Sequence, residues 1–401
     1  MKCKMYLLAL SAMALATGCS NDETTELNKG NAIDFSVTAG KLTRAEATTT
    51  NTIKEFKVWA FTQVGNEWKT YMDGTKVTKD NGKWTYTGTK FWPETDVDFF
   101  ALSPADPQSG TISKPSAKDL NFQLTDYIVT DGKEDLLYAA NIGEKKDAHK
   151  TAPVNINFRH ALSQIVFKAK LTDNSSIDVD IAGITIEGIY NKANLFWSAT
   201  TAPQLTEKNG KKDTELPQWG EWSEPKASIN GKDDKADVKY TVFKDEANKK
   251  SLTKDANQIG ENLFLLPQTL EPWLVMKDKE VTVAGTARLL INCKITDTAT
   301  GIQLWPKEAE KYADVAISLD NPKNDPNRQP GTDDTDPKHD KWMQGKKYTY
   351  TLIFGEGAGY TPDPEGPDPD PVLVPIKFEV TVDEFQDGGE YDLNANNPAN
   401  P

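Results

Sequence analysis

Histidine, cysteine and positive charge are all scarce in this chain of 401 residues. The three histidines, His149, His160 and His339, are too few for a histidine-built metal centre. Acid exceeds base, 60 Asp and Glu against 46 Lys and Arg, for a formal net charge of −14. A phosphate backbone demands a basic stripe, so nucleic acid is excluded as an expected partner. One apolar run is long enough to notice, residues 5–17, and it is shorter than the ~20 residues a bilayer-spanning helix needs. A protein with several membrane-spanning helices is therefore excluded. Catalytic signatures are missing as well. There is no Gly-x-Ser-x-Gly elbow, no His-Glu-x-x-His, no phosphate loop and no dinucleotide fingerprint. The Asp-rich stretches 333–340 and 363–370 lack the spacing of a calcium loop and read as solvated loop and linker. No metal, no cofactor and no enzymatic activity are expected.

What is present begins at the N-terminus. Lys2 and Lys4 precede the apolar run, which ends at Leu15-Ala16-Thr17-Gly18-Cys19. A basic start, a short apolar stretch and small residues before a cut describe a secretory signal. The segment resembles a bacterial lipobox, in which the Cys thiol takes a diacylglycerol. Cys19 is thus the expected lipid attachment site, and acyl chains contribute ~0.8 kcal/mol per buried CH₂ to anchoring. Cys3 would leave with the signal. Cys293 alone remains, so the mature chain forms no internal disulfide. Its strand-like setting, Leu289 to Ile295, reads as a buried small hydrophobe and not a nucleophile. The polar tract after Cys19 reads as a tether.

The body reads as all-β. Phe56 to Phe61, Val97 to Leu102, Val154 to Phe158 and Ile165 to Lys170 are strand-like runs. Gly65-Asn66 turns one strand into the next, and Asn81-Gly82 is a strong hairpin cue, because a type I′ turn needs positive φ twice. Ile177, Val179 and Ile181 share one parity, whereas Ile184 and Ile186 occupy the other, which places a bulge at Ala182-Gly183. Asp173 to Ser176 is the strongest interior boundary signal. Residues 198–236 and 320–341 read as loops, Asn262 to Pro267 and Val281 to Ile295 read as strands, and residues 254–266 and 308–319 each admit at most a short helix.

Two segments near the ends carry the functional reading. Ile33, Phe35 and Val37 alternate in a short first strand, followed by Leu42-Thr43-Arg44-Ala45. An Arg in an exposed Thr-rich stretch is open to an Arg-directed protease, so the bond between Arg44 and Ala45 is the expected cut. At the other end, Gly/Pro/Asp-rich residues 355–371 form a spacer. Beyond it Val372, Val374, Ile376, Phe378, Val380 and Val382 fall on one face of a strand. This strand either completes its own second sandwich or is donated to a neighbour. A spacer of about seventeen residues reaches ~50 Å, far enough for donation. Losing the first strand would open a groove that a partner strand fills by β-augmentation.

The residues also carry a family resemblance. Leu42-Thr43-Arg44-Ala45, Phe91-Trp92-Pro93 followed by Phe99-Phe100-Ala101 and Pro104, Phe158-Arg159-His160-Ala161-Leu162-Ser163, Leu265-Leu266-Pro267-Gln268 and Gly345-Lys346-Lys347-Tyr348-Thr349-Tyr350 resemble, in order and spacing, the fimbrillin family of Bacteroidales. The resemblance implies a lipoprotein precursor with two tandem transthyretin-like β-sandwich domains. Such a chain reaches the outer-membrane surface, loses an N-terminal segment to an Arg-specific protease and polymerises by strand exchange into a fimbrium. Partners would be other fimbrial subunits, in a homo- or hetero-polymer, the outer membrane through the lipid, and a host protein or glycan. His160 reads as structural. The division expected is 1–18 signal peptide, 19–44 tether and removable first strand, 45–174 N-terminal sandwich, 175–355 C-terminal sandwich, 356–371 linker, and 372–401 C-terminal strand and tail.

The competing reading is a monomeric, lipid-anchored glycan-binding module. It rests on Trp197, Trp219, Trp222, Trp273, Trp305 and Trp342, which lie near turn-rich segments where exposed rings could stack on sugars.

Overall fold

The computed structural model describes residues 32–39, 52–113, 121–198, 220–228, 237–271, 287–319 and 341–355, and the backbone of Ile376–Glu384. Every regular element among them is a strand, apart from one 3-10 turn at Lys146–His149. The all-β expectation holds. Leu263–Leu265 is a strand, as the run from Asn262 to Pro267 reads, and the two segments that admitted short helices otherwise hold the strands Asn257–Gln258 and Ala313–Ser318. The apolar residues Leu263 to Leu265 and Val315 to Ile317 are continuous and buried, as a strand covered on both faces requires, rather than spaced for one helical stripe.

A six-stranded sheet organises the N-terminal part. Its spatial order is Arg159–His160, Leu137–Glu144, Val97–Ser103, Glu55–Val64, Glu67–Asp80 and Lys83–Tyr86. Both faces of its centre are covered, so every residue of Val97–Ser103 is buried. Parity then sorts the side chains. Phe56, Val58, Ala60, Val97, Phe99 and Ala101 join one apolar cluster, and Trp59, Phe61, Phe100 and Leu102 join a second. The first cluster is closed by Phe35–Thr38 paired in parallel with Val154–Asn157. The second is closed by a sheet ordered Glu221–Trp222, Lys192–Ser198, Asn121–Ile128, Thr111–Ser113. There Phe122 stacks on Phe100 with centroids 4.5 Å apart and on Trp197 at 5.3 Å. The Asn81-Gly82 turn is as expected, with φ of 47° and 81° between Asp80 and Lys83.

Two further sheets form the C-terminal part around the second cluster. In one, Ser163–Leu171 lies between Lys346–Phe354, its parallel neighbour, and the short strands 257–258 and 263–265. Ile376–Glu384 pairs antiparallel with the far side of Lys346–Phe354. In the other, Ile177–Glu187 and Arg288–Asp297 are central, flanked by Lys239–Lys244, Gln303–Trp305 and Ala313–Ser318. The register of Ile177–Glu187 slips between Ile181 and Gly183, which makes Ala182 the extra residue of a bulge and turns Val179, Ile181, Ile184 and Ile186 into one core.

The sheets do not respect the division expected at residue 174. Ser163–Leu171, on its N-terminal side, is built into the C-terminal sheet. Lys192–Ser198, on its C-terminal side, pairs with Asn121–Ile128. Asp173 to Ser176 is polar because it forms a tight turn, with Ser175 N donating to Thr172 O at 3.1 Å, and not because it links separate bodies.

Candidate functional site

The first strand sits in a socket prepared by the hairpin and central sheet. Ile33, Phe35, Val37 and Ala39 are at most 6% exposed. Phe35 meets three rings: Phe56 at 5.9 Å, Phe99 at 5.7 Å and Tyr86 at 5.6 Å between centroids. The first two are edge-to-face, the arrangement the ring quadrupoles favour. Tyr86 reaches this position because Trp84 and Tyr86 share the inward parity of the strand that follows the Asn81-Gly82 turn. Its hydroxyl donates to Ile33 O at 2.7 Å and accepts from Lys90 N at 3.2 Å. Burial pushes that hydroxyl above the ordinary tyrosine value, so it stays a donor.

The backbone hold on the same strand is slight. Its ladder covers Phe35↔Val154 to Thr38↔Asn157 in parallel. Ser36 Oγ donates to Asn155 Oδ1 at 3.3 Å, Val154 N to Asp34 O at 2.8 Å, and Ile33 N to Lys90 O at 2.8 Å. Parallel pairing is slightly weaker per residue than antiparallel. Burial of each Ile, Phe or Val side chain contributes roughly 1.5–3 kcal/mol. Side chains in the socket, more than the ladder, retain this strand. The Arg44–Ala45 bond, expected as the cut, lies outside the described residues, as does Cys19.

Of the expected C-terminal strand, Val372 and Val374 also lie outside the described residues. Ile376, Phe378, Val380 and Val382 belong to the strand Ile376–Glu384. They register opposite Phe354, Leu352, Tyr350 and Tyr348, all of them core residues. Among the described residues, the outer edge of this strand has no neighbour.

The remaining singled-out residues are structural. His160 Nδ1 lies 3.0 Å from Asp135 Oδ1 with both side chains buried, at the corner where Ala161 N donates to Leu136 O. Cys293 is wholly buried, and burial pushes its thiol well above the ordinary range, which removes thiolate reactivity. Among the expected sugar-stacking tryptophans, Trp219 and Trp273 lie outside the described residues. Trp197 and Trp342 are buried. Trp222 and Trp305 are half-buried and donate their ring N–H to Ala161 O at 2.7 Å and Ala313 O at 3.4 Å. Burial removes Trp197 and Trp342 as platforms for a sugar. Among the described residues, no three metal-ligating side chains converge. Sequence reasoning missed Tyr86 and Trp84 as walls of the socket, although their alternation after an Asn-Gly turn was the signal.

Comparison with known proteins places this architecture. A profile described as fimbrillin-like matches residues 43–383. No curated protein matches the sequence. Among solved structures, the chain is similar to a fimbrial protein of Bacteroides vulgatus ATCC 8482, at 17% identity and TM-score 0.50, over 88% of this chain and 99% of that one. It is similar at 14% identity and TM-score 0.41 to a cell-adhesion candidate of Bacteroides uniformis ATCC 8492, over 88% and 98% of the two chains. The C-terminally truncated tip fimbrial protein Mfa3 of Porphyromonas gingivalis matches at 10% identity and TM-score 0.34, over 87% and 99%. At these identities the first likeness speaks for the fold. The profile, running from just before Arg44 into the C-terminal strand, covers most of the sequence, and the chain belongs to the fimbrillin-like family.

Proposed function

We propose that this chain is a structural subunit of a cell-surface fimbria, exported as a lipoprotein through Cys19 and assembled by donor-strand exchange after cleavage between Arg44 and Ala45. Membership of the fimbrillin-like family makes it a structural protein and not an enzyme. The observation that carries the assembly reading is the first strand's unequal hold. It fills an aromatic socket in the core, yet a four-residue parallel ladder is its pairing within a sheet. Withdrawal of such a strand leaves a long apolar slot beside Val154–Asn157, packed on a six-stranded sheet that stays intact. An alternating strand from another subunit is the natural occupant. The tethered run from Val372 to Val382 has that alternation. Adhesion follows as the role of the assembled fibre, with a host protein or glycan as ligand.

The test uses the full chain and an Arg-specific protease. N-terminal sequencing of the product is expected to begin at Ala45, and unheated samples are expected to form a ladder of polymers on SDS gels. Arg44→Ala should abolish both. A cut product that stays monomeric overturns the assembly reading. For export, metabolic labelling with a radioactive fatty acid should mark the wild type and not Cys19→Ser.

A further inference from the structure

The two ends of the chain carry the same short pattern. The first strand reads Ile33-Asp34-Phe35-Ser36-Val37-Thr38-Ala39, and the C-terminal strand reads Ile376-Lys377-Phe378-Glu379-Val380-Thr381-Val382. Ile, Phe, Val and Thr recur at matching places, and the final small apolar Ala39 is matched by Val382. Ile-x-Phe-x-Val-Thr occurs at these two places in the chain. The one aromatic position coincides, so Phe378 stands where Phe35 stands.

That coincidence has a structural meaning. The socket around Phe35 is made of Phe56, Tyr86 and Phe99, and it accepts one ring at one height along the groove. A strand slid by two residues would offer Ile376 or Val380 to a cavity shaped for a ring, and a slide of one would turn the apolar face outward. Both ends of the match therefore fix the register. The inward positions Ile33, Phe35, Val37 and Ala39 are the buried ones, and each has an apolar counterpart. The outward positions Asp34 and Ser36 are exposed or half-buried, and their counterparts Lys377 and Glu379 are charged.

We propose that Ile376–Val382 of a second copy of this chain occupies the slot of Ile33–Ala39 residue for residue, parallel to Val154–Asn157, with Phe378 as the residue that sets specificity. This rests on the donor-strand reading above and adds the partner, direction and register. Because the pattern is the chain's own, the partner is another copy. In the uncut chain Ile376–Glu384 is held antiparallel on Lys346–Phe354, so the strand has two addresses. Its own sheet edge serves while the slot is full, and the neighbour's slot serves once it is open.

Ser36 and Asn155 touch across the parallel ladder, so in the proposed register Glu379 of one copy faces Asn155 of the next. Full-length chain carrying Asn155→Cys and Glu379→Cys is cut with the Arg-specific protease and oxidised, with single-cysteine chains as controls. An intermolecular disulfide ladder is expected that survives boiling in SDS and collapses with reductant. Asn155→Cys with Lys377→Cys or Thr381→Cys should give none. Phe378→Ala should lower polymer yield at least about tenfold, since it empties the ring site, and Phe378→Tyr should restore much of it. Polymers that cross-link through Lys377 or Thr381 instead, or that form equally well with Phe378→Ala, overturn the register while leaving donor-strand assembly standing. A disulfide confined to monomers overturns the second copy as partner. Failure of the full-length chain to polymerise after a verified cut, or polymers that form equally well without residues 371–401, overturns the donor-strand reading itself.

Discussion

Phe35 concentrates the energetics of the first strand in one side chain. It is buried against three rings, and Phe35→Ala removes that packing and leaves a cavity. Such changes cost about 3–5 kcal/mol, so urea unfolding of the uncut variant should show a loss of that size. Asp98 presents the opposite case. Burial holds its carboxyl above the usual carboxylate range, Asp96 and Glu144 add to this, and Gly143 N donates to it at 2.7 Å. An acid whose folded value is raised keeps its proton longer in the folded state than in the unfolded state. Stability therefore falls as pH rises from the ordinary carboxylate value through the raised one, and then levels. Asp98→Asn keeps an acceptor for Gly143 and removes that fall. Its stability relative to wild type should be higher at pH 7 than at pH 3, as measured by urea titrations at both values. At this scale the sequence was informative about Cys293 and His160, whose apolar or strand-corner neighbours foretold burial. It was silent about Asp98, because nothing in Val97-Asp98-Phe99 reveals that both faces of this strand are covered.

Among the elements, period-two alternation and Asn-Gly turns were legible, and so was the bulge at Ala182, where the buried parity changes. The strand Ala313–Ser318, in a segment that admitted a short helix, was not, since its buried run from Val315 to Ser318 has no period to read. The C-terminal strand was found by its alternation, yet its destination was left open. Its ladder with Lys346–Phe354 lies at a sheet edge, and that strand remains paired on its other side with Ser163–Leu171. Removal of residues 371–401 should therefore spare the fold, giving a near-native far-ultraviolet circular dichroism spectrum and a cooperative thermal transition. The same truncated chain, once cut after Arg44, should accumulate as monomers on unheated SDS gels. A truncated chain without a cooperative transition would make this strand an intrinsic part of the second sandwich.

For the whole molecule, the pairing of Asn121–Ile128 with Lys192–Ser198 and of Ser163–Leu171 with Lys346–Phe354 ties the two halves into one network. A separately produced fragment 45–174 is expected to lack dispersed amide signals in NMR, because Asn121–Ile128, Val154–Asn157 and Ser163–Leu171 all miss partners that lie outside it. The full chain should unfold in one calorimetric transition with matching van't Hoff and calorimetric enthalpies. The expected division at 174 followed from local polarity, and local polarity reports a turn. Which strands meet is decided by contacts far apart in sequence, such as Gln164 with Lys347, and those leave no local mark.

The parallel ladder between Ser163–Leu171 and Lys346–Phe354 also determines how a fibre assembled as proposed would bear tension. A donated strand grips its neighbour beside Val154–Asn157, and the chain runs from there directly into the start of Ser163–Leu171. The pull from the next subunit leaves through Gly355, at the end of Lys346–Phe354. One strand is thus drawn by its beginning and its parallel neighbour by its end. The ladder is loaded in shear, and its rungs from Gln164↔Lys347 to Leu171↔Phe354 must yield together rather than one after another. An antiparallel neighbour at this position, pulled through the same strand ends, would be unzipped from one end. Mechanical strength is thereby assigned to the strand order itself, at the place where the two halves of the subunit are joined.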